Sequence, residues 1–360
     1  MKALVLQPHT THLQVKEWPE PQIKRPDEIK VKVLHVGICG TDREEASGGR
    51  ADAPAGEIEL VIGHEMISRV VEVGKEVRSV QVGDLVVITV RRGCGACAAC
   101  QEGRSDMCQT GNYTERGIKG RHGFQCEYVV DQEAFAVKVD PSIAAIGVLA
   151  EPMSVVQKAI EEAGIVQMSR LPYLKNPQTW LEGKSVLVAG LGPIGLLAAL
   201  VLRLRKANVF GLDIVDPKSP RAQILTAMGG KYITKAGQND SFDLILDAAG
   251  IAKLDFDLTS LLAINGIFVL TGVPGDQRLL NVDGAKLMRQ MVLKNQVMVG
   301  SVNESLHHFK NGLKDLKAAD QEWPGVVSKL ITKHVPYTSF SDVMSHHTPD
   351  EIKVVIDWSP

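Results

Sequence analysis

The hydrophobic pattern of the first 150 residues predicts short β-strands. Runs rich in Val and Ile recur along this part of the chain, each bounded by Gly, Asp or Pro, as is typical of a strand-rich domain with many turns. Residues 43–60 interrupt the pattern with a polar stretch rich in Gly, Ala and Pro, which predicts a mobile surface loop. The predicted strands are MKALVL, IKVKVLHVGI, ISRVVEVG, GDLVVITV, CEYVVDQ and AFAVKV.

From Ala144 the apolar residues recur at intervals of three and four, which predicts a helix through IGVLAEPMSVVQKAIEEAG. Between Ser185 and Gly300, apolar strands alternate with helical segments, which indicates a parallel sheet with crossover helices. The chain then ends in IKVVIDW, a strand pattern like those near the N-terminus. We therefore predict a first domain of residues 1–182, an inserted α/β domain of residues 183–302, and a return of residues 303–360 to the first domain.

The composition is that of a soluble globular protein, since 44% of the 360 residues are hydrophobic and 23% are charged. The formal net charge of −2 gives no electrostatic reason to expect a nucleic-acid or membrane partner. The apolar segments are interrupted before they reach the ~18–20 residues that span a bilayer, and the N-terminus lacks the pattern of a signal peptide. We therefore expect a cytoplasmic protein, in which clustered cysteines bind metal more often than they form disulfides.

A dinucleotide-binding motif lies in SVLVAGLGPIGLLAALVLRL, between a predicted strand and an apolar helix. In this context Gly190 permits the tight turn, and Gly192 lets the backbone approach a pyrophosphate. Gly195 allows the helix to pack closely against the strand. The helix that starts at Pro193 and Ile194 directs its N-terminus at the phosphates. The alternative is a glycine-rich turn that binds no ligand.

The choice between NAD and NADP depends on the next strand, NVFGLD. Its last residue, Asp213, lies 18 residues beyond Gly195, where a carboxylate accepts hydrogen bonds from the adenosine ribose hydroxyls. Because this carboxylate repels a 2′-phosphate, the sequence favours NAD, while Lys218 and Arg221 leave NADP open. Turns after later strands predict further contacts at the nicotinamide side, with plain strand-to-helix turns as the alternative. The residues predicted there are Ala249, Thr271, Gly272 and Val273.

Four cysteines lie within residues 93–108, with the spacing C-x2-C-x2-C-x7-C. Four thiolates on one short loop surround Zn²⁺ tetrahedrally, and such a closed shell leaves no position for substrate. Similar spacings hold iron–sulfur clusters, but a nicotinamide site elsewhere in the chain favours zinc. The sequence therefore predicts a structural zinc lobe with the ligands Cys94, Cys97, Cys100 and Cys108.

A second set of metal-binding side chains is dispersed along the chain. One thiolate, one imidazole and one or two carboxylates, with room for water or substrate, describe an open catalytic zinc site. Taken singly, each residue has another interpretation, such as a buried structural cysteine or a surface carboxylate. Their combination with the cysteine lobe and the dinucleotide motif favours the catalytic one. The residues are Cys39 in GICGTD, His64 and Glu65 in GHE, and Glu151 in LAEP.

On these motifs the chain resembles the zinc-dependent medium-chain alcohol dehydrogenases over essentially its whole length, and in detail the glucose (aldose) dehydrogenase branch. The resemblance implies a strand-rich GroES-like catalytic domain, a Rossmann domain with a doubly wound parallel sheet, and a homo-oligomer, either dimer or tetramer. It also implies oxidation of an aldose such as D-glucose at C1 to the lactone, with hydride transfer to NAD or NADP. The longer phrases that carry it are GICGTDRE, VRRGCGAC, RSDMCQTGNYTERGIKGRHGF, LAEPMSVVQKAIEE and GSVNESLHHF.

The resemblance implies roles for individual residues around the catalytic zinc. Thr41 corresponds to a hydroxyl that relays the proton from the sugar, and Asp42 to a carboxylate that orients His64. The zinc acts as a Lewis acid on the C1 hydroxyl. The metal ligands correspond to Cys39 and His64, with Glu65 and Glu151 bound directly or through water. Contacts to sugar hydroxyls correspond to Thr41, Glu115, Glu151 and Asn303, and further cofactor contacts to Ser301 and Asn303.

The chain departs from this branch at two positions. Some relatives carry a sugar-contacting Asn where this chain has Val90, and the branch commonly lacks a carboxylate in the region of Asp213. The preferred aldose and the cofactor therefore stay open. Two other functions also stay open: a zinc-dependent polyol, threonine or simple alcohol dehydrogenase, and a non-catalytic dinucleotide-binding redox sensor that uses the cysteine lobe as its switch.

Overall fold

Short strands form where the Val- and Ile-rich runs predict them in the first part of the chain. The structure is a computed structural model that describes residues 1–177, 179–275, 279–345, 348 and 350–358. The strands of this first part are β1 Lys2–Leu6, β2 Leu13–Glu17, β3 Glu28–Ile38, β4 Leu60–Val61, β5 Glu65–Val73, β6 Leu85–Ile88, β7 Arg91–Arg92, β8 Thr114–Arg116, β9 Gly120–Arg121, β10 Tyr128–Gln132 and β11 Ala136–Lys138.

The prediction of a mobile surface loop over residues 43–60 is wrong for the first part of that stretch. Helix α1, Gly40–Ala46, runs into it, and the side chains of Glu45 and Ala51 are buried. The helix begins at an N-cap formed by Cys39, whose sulfur accepts a hydrogen bond from the Thr41 N–H at 3.2 Å. A cysteine is an unusual cap, so the sequence shows no ordinary signal for this helix start.

The helix predicted from Ala144 forms as a 3₁₀ turn, Pro141–Leu149, followed by α3, Ala150–Arg170. The short helix α2, Ala98–Gln101, precedes it in the cysteine lobe. By length and composition the stretch Pro141–Arg170 is long and apolar enough to cross a membrane, contrary to the expectation from the sequence, since an 18-residue window within it has a mean hydropathy of 1.4. Because 78% of that window is buried inside the protein, the stretch has the character of a core helix.

The alternating segments from Ser185 onward form the predicted parallel sheet. Its strands are β12 Ser185–Ala189, β13 Asn208–Leu212, β14 Lys231–Ile233, β15 Phe242–Asp247, β16 Leu262–Leu270 and β17 Val297–Gly300, and its helices are α4 Pro193–Leu204, α5 Pro220–Ala227, α6 Ala252–Thr259 and α7 Gly284–Leu293. The strand order is β14-β13-β12-β15-β16-β17. This is the doubly wound Rossmann order, whose direction reverses beside β12 and opens a ligand crevice at the carboxyl ends of the strands.

The last part of the chain returns to the first sheet. It contains α8 Leu306–Glu322, β18 Ile331–Pro336, α9 Ser341–Met344 and β19 Lys353–Asp357. The sheet has the order β11-β6-β5-β3-β19-β18, with β10 also paired to β3. Strand β19 therefore lies directly beside β3, and the apolar side chains of both strands join one buried core.

The chain divides into two compact units. The first contains residues 1–154, 303–317 and 331–360, and the second contains residues 155–302 and 318–330. Residues 155–182 and 318–330, which the sequence assigned to the first domain and to the return to it, group with the second unit. The boundary between residues 154 and 155 lies inside the continuous helix α3, so the hydrophobic pattern of the sequence does not reveal this boundary. The domain bounds 1–182, 183–302 and 303–360 stay a prediction.

Candidate active site

The predicted catalytic metal ligands of the first unit converge at the end of one strand and the start of another. Strands β3 and β5 are antiparallel neighbours in which Gly37 pairs with Glu65. Cys39 Sγ consequently lies 3.2 Å from His64 Nε2. The ligand atoms of Cys39, His64 and Glu65 all lie within 4.8 Å of one another. A tetrahedral zinc holds a sulfur and a nitrogen ligand about 3.5 Å apart, so this pair fits a zinc ion with a small adjustment.

Asp42 faces the other nitrogen of the same imidazole. Its Oδ2 accepts a hydrogen bond from the Cys39 N–H at 2.8 Å, which completes the cap of α1. Its Oδ1 lies 3.7 Å from His64 Nδ1, beyond hydrogen-bond length. Burial alone would lower the pKa of His64, but Cys39 and Asp42 raise it well above its usual value. The placement agrees with the predicted role of Asp42 in orienting the ring, which stays a prediction.

Glu65 has a partner that the sequence analysis missed. Lys353 Nζ, on β19, donates to both carboxylate oxygens of Glu65 at 2.6 and 2.7 Å and to the Ile38 carbonyl at 3.1 Å. Both side chains are almost completely buried, at 1% and 2% exposure. A Cβ at Gly37 would lie 2.2 Å from Glu65 Oε2, so glycine is required for the carboxylate to fit. The signal in the sequence was a lysine inside the apolar run IKVVIDW.

Further carboxyl groups surround these ligands. Burial raises the pKa of Glu45 to about 9, and the neighbouring Asp42 carboxylate adds to the shift. Burial also raises the pKa of Glu151 to about 7. It raises the pKa of Glu304 well above its usual value, with a contribution from Glu151. Neither Glu45 nor Glu304, which the sequence analysis missed, has a hydrogen-bond partner for its carboxylate among the described residues.

The raised pKa values show that burial disfavours the ionised form of these carboxyl groups, and a divalent cation would offset that cost by supplying a counter-charge. His64 Nδ1 and Asp42 Oδ1 also have no hydrogen bond among the described residues. The donor set of one thiolate, one imidazole and carboxylates is that of a catalytic zinc site. The side chains present therefore fit a zinc ion held by Cys39 and His64 with the carboxylates nearby.

A polar group predicted to hold the substrate also assembles in the first unit. Asn303 Nδ2 donates to Glu115 Oε1 at 2.8 Å, although the two residues are 188 positions apart. Arg91 donates to the same oxygen at 2.9 and 3.1 Å and stacks over the Tyr113 ring at 3.9 Å. Asn303 has a φ of 62°, a left-handed conformation that Asn tolerates better than most residues. Residues with such a backbone conformation are frequent at ligand sites.

The four cysteines of the lobe converge as their spacing predicts. Their sulfur atoms lie within 4.8 Å of one another, and Cys94 Sγ and Cys100 Sγ are 3.9 Å apart. A zinc ion bound to four sulfurs holds them about 3.8 Å apart, so the cluster has the size of a zinc shell. All four are free thiols and half-buried. The cluster consists of Cys94, Cys97, Cys100 and Cys108.

The dinucleotide motif of the second unit has the shape that its glycines predict. Helix α4 begins at Pro193 after the N-cap Gly192, and no side chain caps its N-terminus. A Cβ at Gly192 would meet no described atom within 4 Å, so the backbone is open to a phosphate there. A Cβ at Gly195 would lie 1.8 Å from the Gly190 carbonyl oxygen, which requires glycine for the helix to pack. Ile194 follows in the first turn.

Asp213 lies at the end of β13, beside the same glycine turn. Its Oδ2 accepts a hydrogen bond from the Leu191 N–H at 2.8 Å and lies 3.6 Å from an Arg221 guanidinium nitrogen. Its Oδ1 accepts from the Ile214 N–H at 2.7 Å. The carboxylate is therefore at the predicted place, and a basic side chain stands next to it. The residues present fit the adenosine end of a dinucleotide.

The turns predicted to line the nicotinamide side are held together by Asp247, which the sequence analysis missed. Its buried carboxylate accepts hydrogen bonds from the Ala249 N–H at 2.8 Å and from the Gly272 N–H at 3.2 Å. Its carbonyl accepts one from the Thr271 N–H at 3.1 Å. The signal in the sequence was an aspartate closing the apolar strand LILD. Of the other predicted contacts, the Val273 side chain is exposed, and the Ser301 hydroxyl is buried without a partner among the described residues.

Comparison with known proteins identifies the families that the two parts of the chain match. Residues 25–141 match the family described as "Alcohol dehydrogenase GroES-like domain", and residues 144–358 match "Glucose dehydrogenase C-terminus". The second match covers more than half of the chain. The chain belongs to the glucose dehydrogenase family. It is therefore an oxidoreductase of the medium-chain alcohol dehydrogenase type, with the GroES-like and Rossmann domains that the sequence predicted.

Relatives in this family match along the full chain. A glucose 1-dehydrogenase of Thermoproteus tenax is 38% identical over 359 residues, covering 99% of each chain. One of Methanocella arvoryzae is 36% identical over 339 residues, covering 92% of each chain. The solved structure of Haloferax mediterranei glucose dehydrogenase in complex with NADP, Zn and gluconolactone superposes with a TM-score of 0.87 at 30% identity, covering 100% of both chains.

Proposed function

We propose that this glucose dehydrogenase family member oxidises an aldose such as D-glucose at C1 to the lactone and passes the hydride to NAD or NADP. The observation that carries the proposal is the convergence of Cys39, His64 and Glu65 in the unit that also pairs Glu115 with Asn303. The named ligands of the Haloferax mediterranei relative, NADP, Zn and gluconolactone, support it. We further propose one catalytic zinc and one structural zinc per chain.

Zinc would be held by Cys39 and His64, with Glu65 and Glu151 direct or through water, and when bound it supplies a Lewis acid for the C1 hydroxyl. The chain itself has three tasks around that hydroxyl. Thr41 accepts the proton of the C1 hydroxyl on its side-chain oxygen while it passes its own hydroxyl proton outward. Asp42 keeps the imidazole of His64 in place, and Lys353 keeps the Glu65 carboxyl group oriented through the two hydrogen bonds described above.

Recognition of a sugar requires fixed polar groups, because an apolar pocket does not select strongly for hydroxyls. We propose that Glu115 and Asn303 supply them, with Glu151 as a further contact. Arg91 holds the Glu115 carboxylate by two hydrogen bonds to one oxygen, Oε1, which leaves the other oxygen available to a sugar hydroxyl. Val90 is buried and apolar, so the contact that some relatives make from this position is missing here.

Aldose turnover tests the proposed function. We expect initial rates with D-glucose or another aldose that exceed the rates with alditols and simple alcohols, using NAD or NADP, and that fall by about tenfold or more after incubation with a chelator. Elemental analysis is expected to find at least about two zinc ions per chain, which is the number that the catalytic and the cysteine sites require. Good turnover of alditols with none of any aldose would assign the chain to the polyol branch instead.

The same purified protein also distinguishes the proposed enzyme from the alternative of a redox sensor. It requires a protein that lacks zinc and changes with the oxidation state of its cysteines. The sulfur separation of 3.9 Å between Cys94 and Cys100 suits a shared metal. Metal-free protein that responds reversibly to thiol oxidation and turns over no alcohol would favour the sensor and contradict the proposal.

The cofactor preference depends on Asp213. We expect Asp213→Ala to weaken NAD binding by about 10- to 100-fold, since a charged hydrogen bond contributes about 1.5–3 kcal/mol, and to weaken NADP binding less. Binding constants for both cofactors, measured by fluorescence titration, check this. Asp257→Ala, an exposed carboxylate in α6, serves as the control. An unchanged NAD/NADP ratio would show that Asp213 does not select the cofactor.

We also propose that the chain self-associates, as a dimer or tetramer, in the cytoplasm. Support for self-association comes from α7 and from β17, the strand at one end of the parallel sheet. Helix α7 has no buried residue among those described, yet its exposed side chains include Met288, Val292 and Leu293. Exposed apolar patches of this kind mark protein interaction sites. A second copy of the chain is the partner we propose for this face.

A further inference from the structure

A cluster of two histidines and an aspartate lies outside both sites described above. His35 is on β3, His334 is on β18 and Asp357 is the last residue of β19. In the first sheet β19 lies between the other two strands, and Asp357 pairs directly with His35. The cluster therefore joins three neighbouring strands through their side chains. We call it the His35 cluster.

Both imidazoles of the His35 cluster direct the same ring nitrogen at the same carboxylate oxygen. His35 Nδ1 lies 2.6 Å and His334 Nδ1 2.9 Å from Asp357 Oδ1. The two rings are in edge contact, with centroids 5.5 Å apart. The side chains are 34%, 47% and 29% exposed, in the order His35, His334, Asp357. The cluster is thus enclosed on the protein side and open to water on the other.

This donor set suits a divalent transition metal. Two imidazole nitrogens and one carboxylate oxygen are ligands that zinc, cobalt and nickel accept, with the remaining positions filled by water. A tetrahedral zinc holds such ligand atoms about 3.3 Å apart. The two nitrogen–oxygen distances therefore have to lengthen by about 0.4 and 0.7 Å. Because the three side chains are partly exposed, small rotations of them can lengthen both distances without any change in the backbone.

We propose that His35, His334 and Asp357 form a third metal site, which binds a divalent transition-metal ion such as Zn²⁺ through the two Nδ1 atoms and the carboxylate. The ion ties β18 and β3 to the strand between them. It differs from the two zinc sites of the proposed function, because its ligands include no cysteine and its open side faces solvent. The inference does not depend on which substrate the enzyme oxidises.

The position of the third site gives it an effect on stability. Strand β19 also carries Lys353, four residues before Asp357 and on the same face of the strand because side chains alternate. A ligand that binds only the folded chain stabilises it by an amount that grows with the logarithm of the ligand concentration once that concentration exceeds the dissociation constant. The metal therefore raises the melting temperature by holding the strand that supplies the Glu65 partner.

The test uses the full-length protein, purified without removal of its bound zinc and then dialysed against micromolar Zn²⁺. Elemental analysis counts the bound zinc in four proteins, which are the unaltered chain, His334→Gln, Asp357→Asn and His12→Gln. His12 is an exposed histidine outside the cluster and serves as the matched control. We expect His334→Gln and Asp357→Asn to bind one zinc fewer per chain than the other two proteins. Calorimetric titration should show at least ~tenfold weaker binding at the third site.

Melting temperatures provide a second measurement on the same four proteins. Added Zn²⁺ is expected to raise the melting temperature of the unaltered protein and of His12→Gln, and to leave His334→Gln and Asp357→Asn unchanged. Equal zinc counts in all four proteins, or a rise in melting temperature that both cluster variants retain, would overturn the third site. Failure of the proposed function is distinguishable, because it would alter aldose turnover or the zinc of the other two sites and not the difference between these variants.

Discussion

Replacing His64 or Cys39 with Ala is expected to lower aldose turnover by about a thousandfold, since a bound metal contributes several kcal/mol to the reaction and each 1.36 kcal/mol is about tenfold in rate. The two atoms that would bind the ion, Cys39 Sγ and His64 Nε2, lie 3.2 Å apart. Removal of either leaves a buried group of carboxylates without the cation that offsets their charge. Steady-state kinetics with D-glucose and the preferred cofactor measure the loss.

The controls separate loss of the site from loss of the fold. The dinucleotide motif lies in the other compact unit, so both variants should bind NAD or NADP with unchanged affinity. Cys126→Ala removes a buried cysteine elsewhere in the first unit and is expected to retain turnover. Zinc content should fall by one ion per chain in the two site variants and stay unchanged in the control. Full turnover by either site variant would refute the assignment of these ligands.

Among the variants proposed for this protein, Lys353→Met is expected to lower the free energy of unfolding the most. Breaking a buried ion pair by removing one partner costs about 3–5 kcal/mol, because the remaining charge is left without compensation. Lys353 is 1% exposed and donates to both oxygens of Glu65, which is 2% exposed. Met has nearly the shape of the lysine stem, so packing changes little. Chemical denaturation measures the free energy of unfolding directly.

A double variant distinguishes the charge effect from a packing effect. Glu65→Gln removes the carboxylate charge, so the combination with Lys353→Met leaves neither ion of this pair. Replacing a whole buried pair is often close to neutral, and the double variant should therefore recover much of the stability that Lys353→Met loses. Thermal unfolding of the two single variants and the double variant completes the cycle. A double variant no more stable than Lys353→Met would show that the lysine contributes through packing alone.

The motifs that the sequence made predictable are those whose residues lie close together in the chain. The cysteine lobe spans residues 93–108, and its four sulfurs converge because the connecting segments are too short to place them far apart. The glycine turn at Gly190 and Gly192 is equally local, since a strand and a helix flank it directly. The strand order then follows from the alternation of strands and helices, which allows few topologies.

The parts of the site that were missed depend on contacts between distant segments. Lys353 and Glu65 are 288 residues apart, and the pattern of IKVVIDW indicates a strand but not its neighbour in the sheet. The positions of Glu45 and Glu304 depend on which face of a segment turns inward, which short irregular elements do not reveal. Asp247 is visible as a charge at the end of an apolar strand, but its role in tying two turns requires the sheet register.

The central place of β19 in the first sheet has a consequence for how the protein is made. Residues 1–154 emerge from the ribosome long before residues 353–357, and β3 remains without its neighbour on that side until β19 has been synthesised. The Rossmann unit, by contrast, is complete before β19 is synthesised, and domains generally fold as units during synthesis. Chaperone dependence and sensitivity to premature termination should therefore concentrate in the unit that is synthesised first.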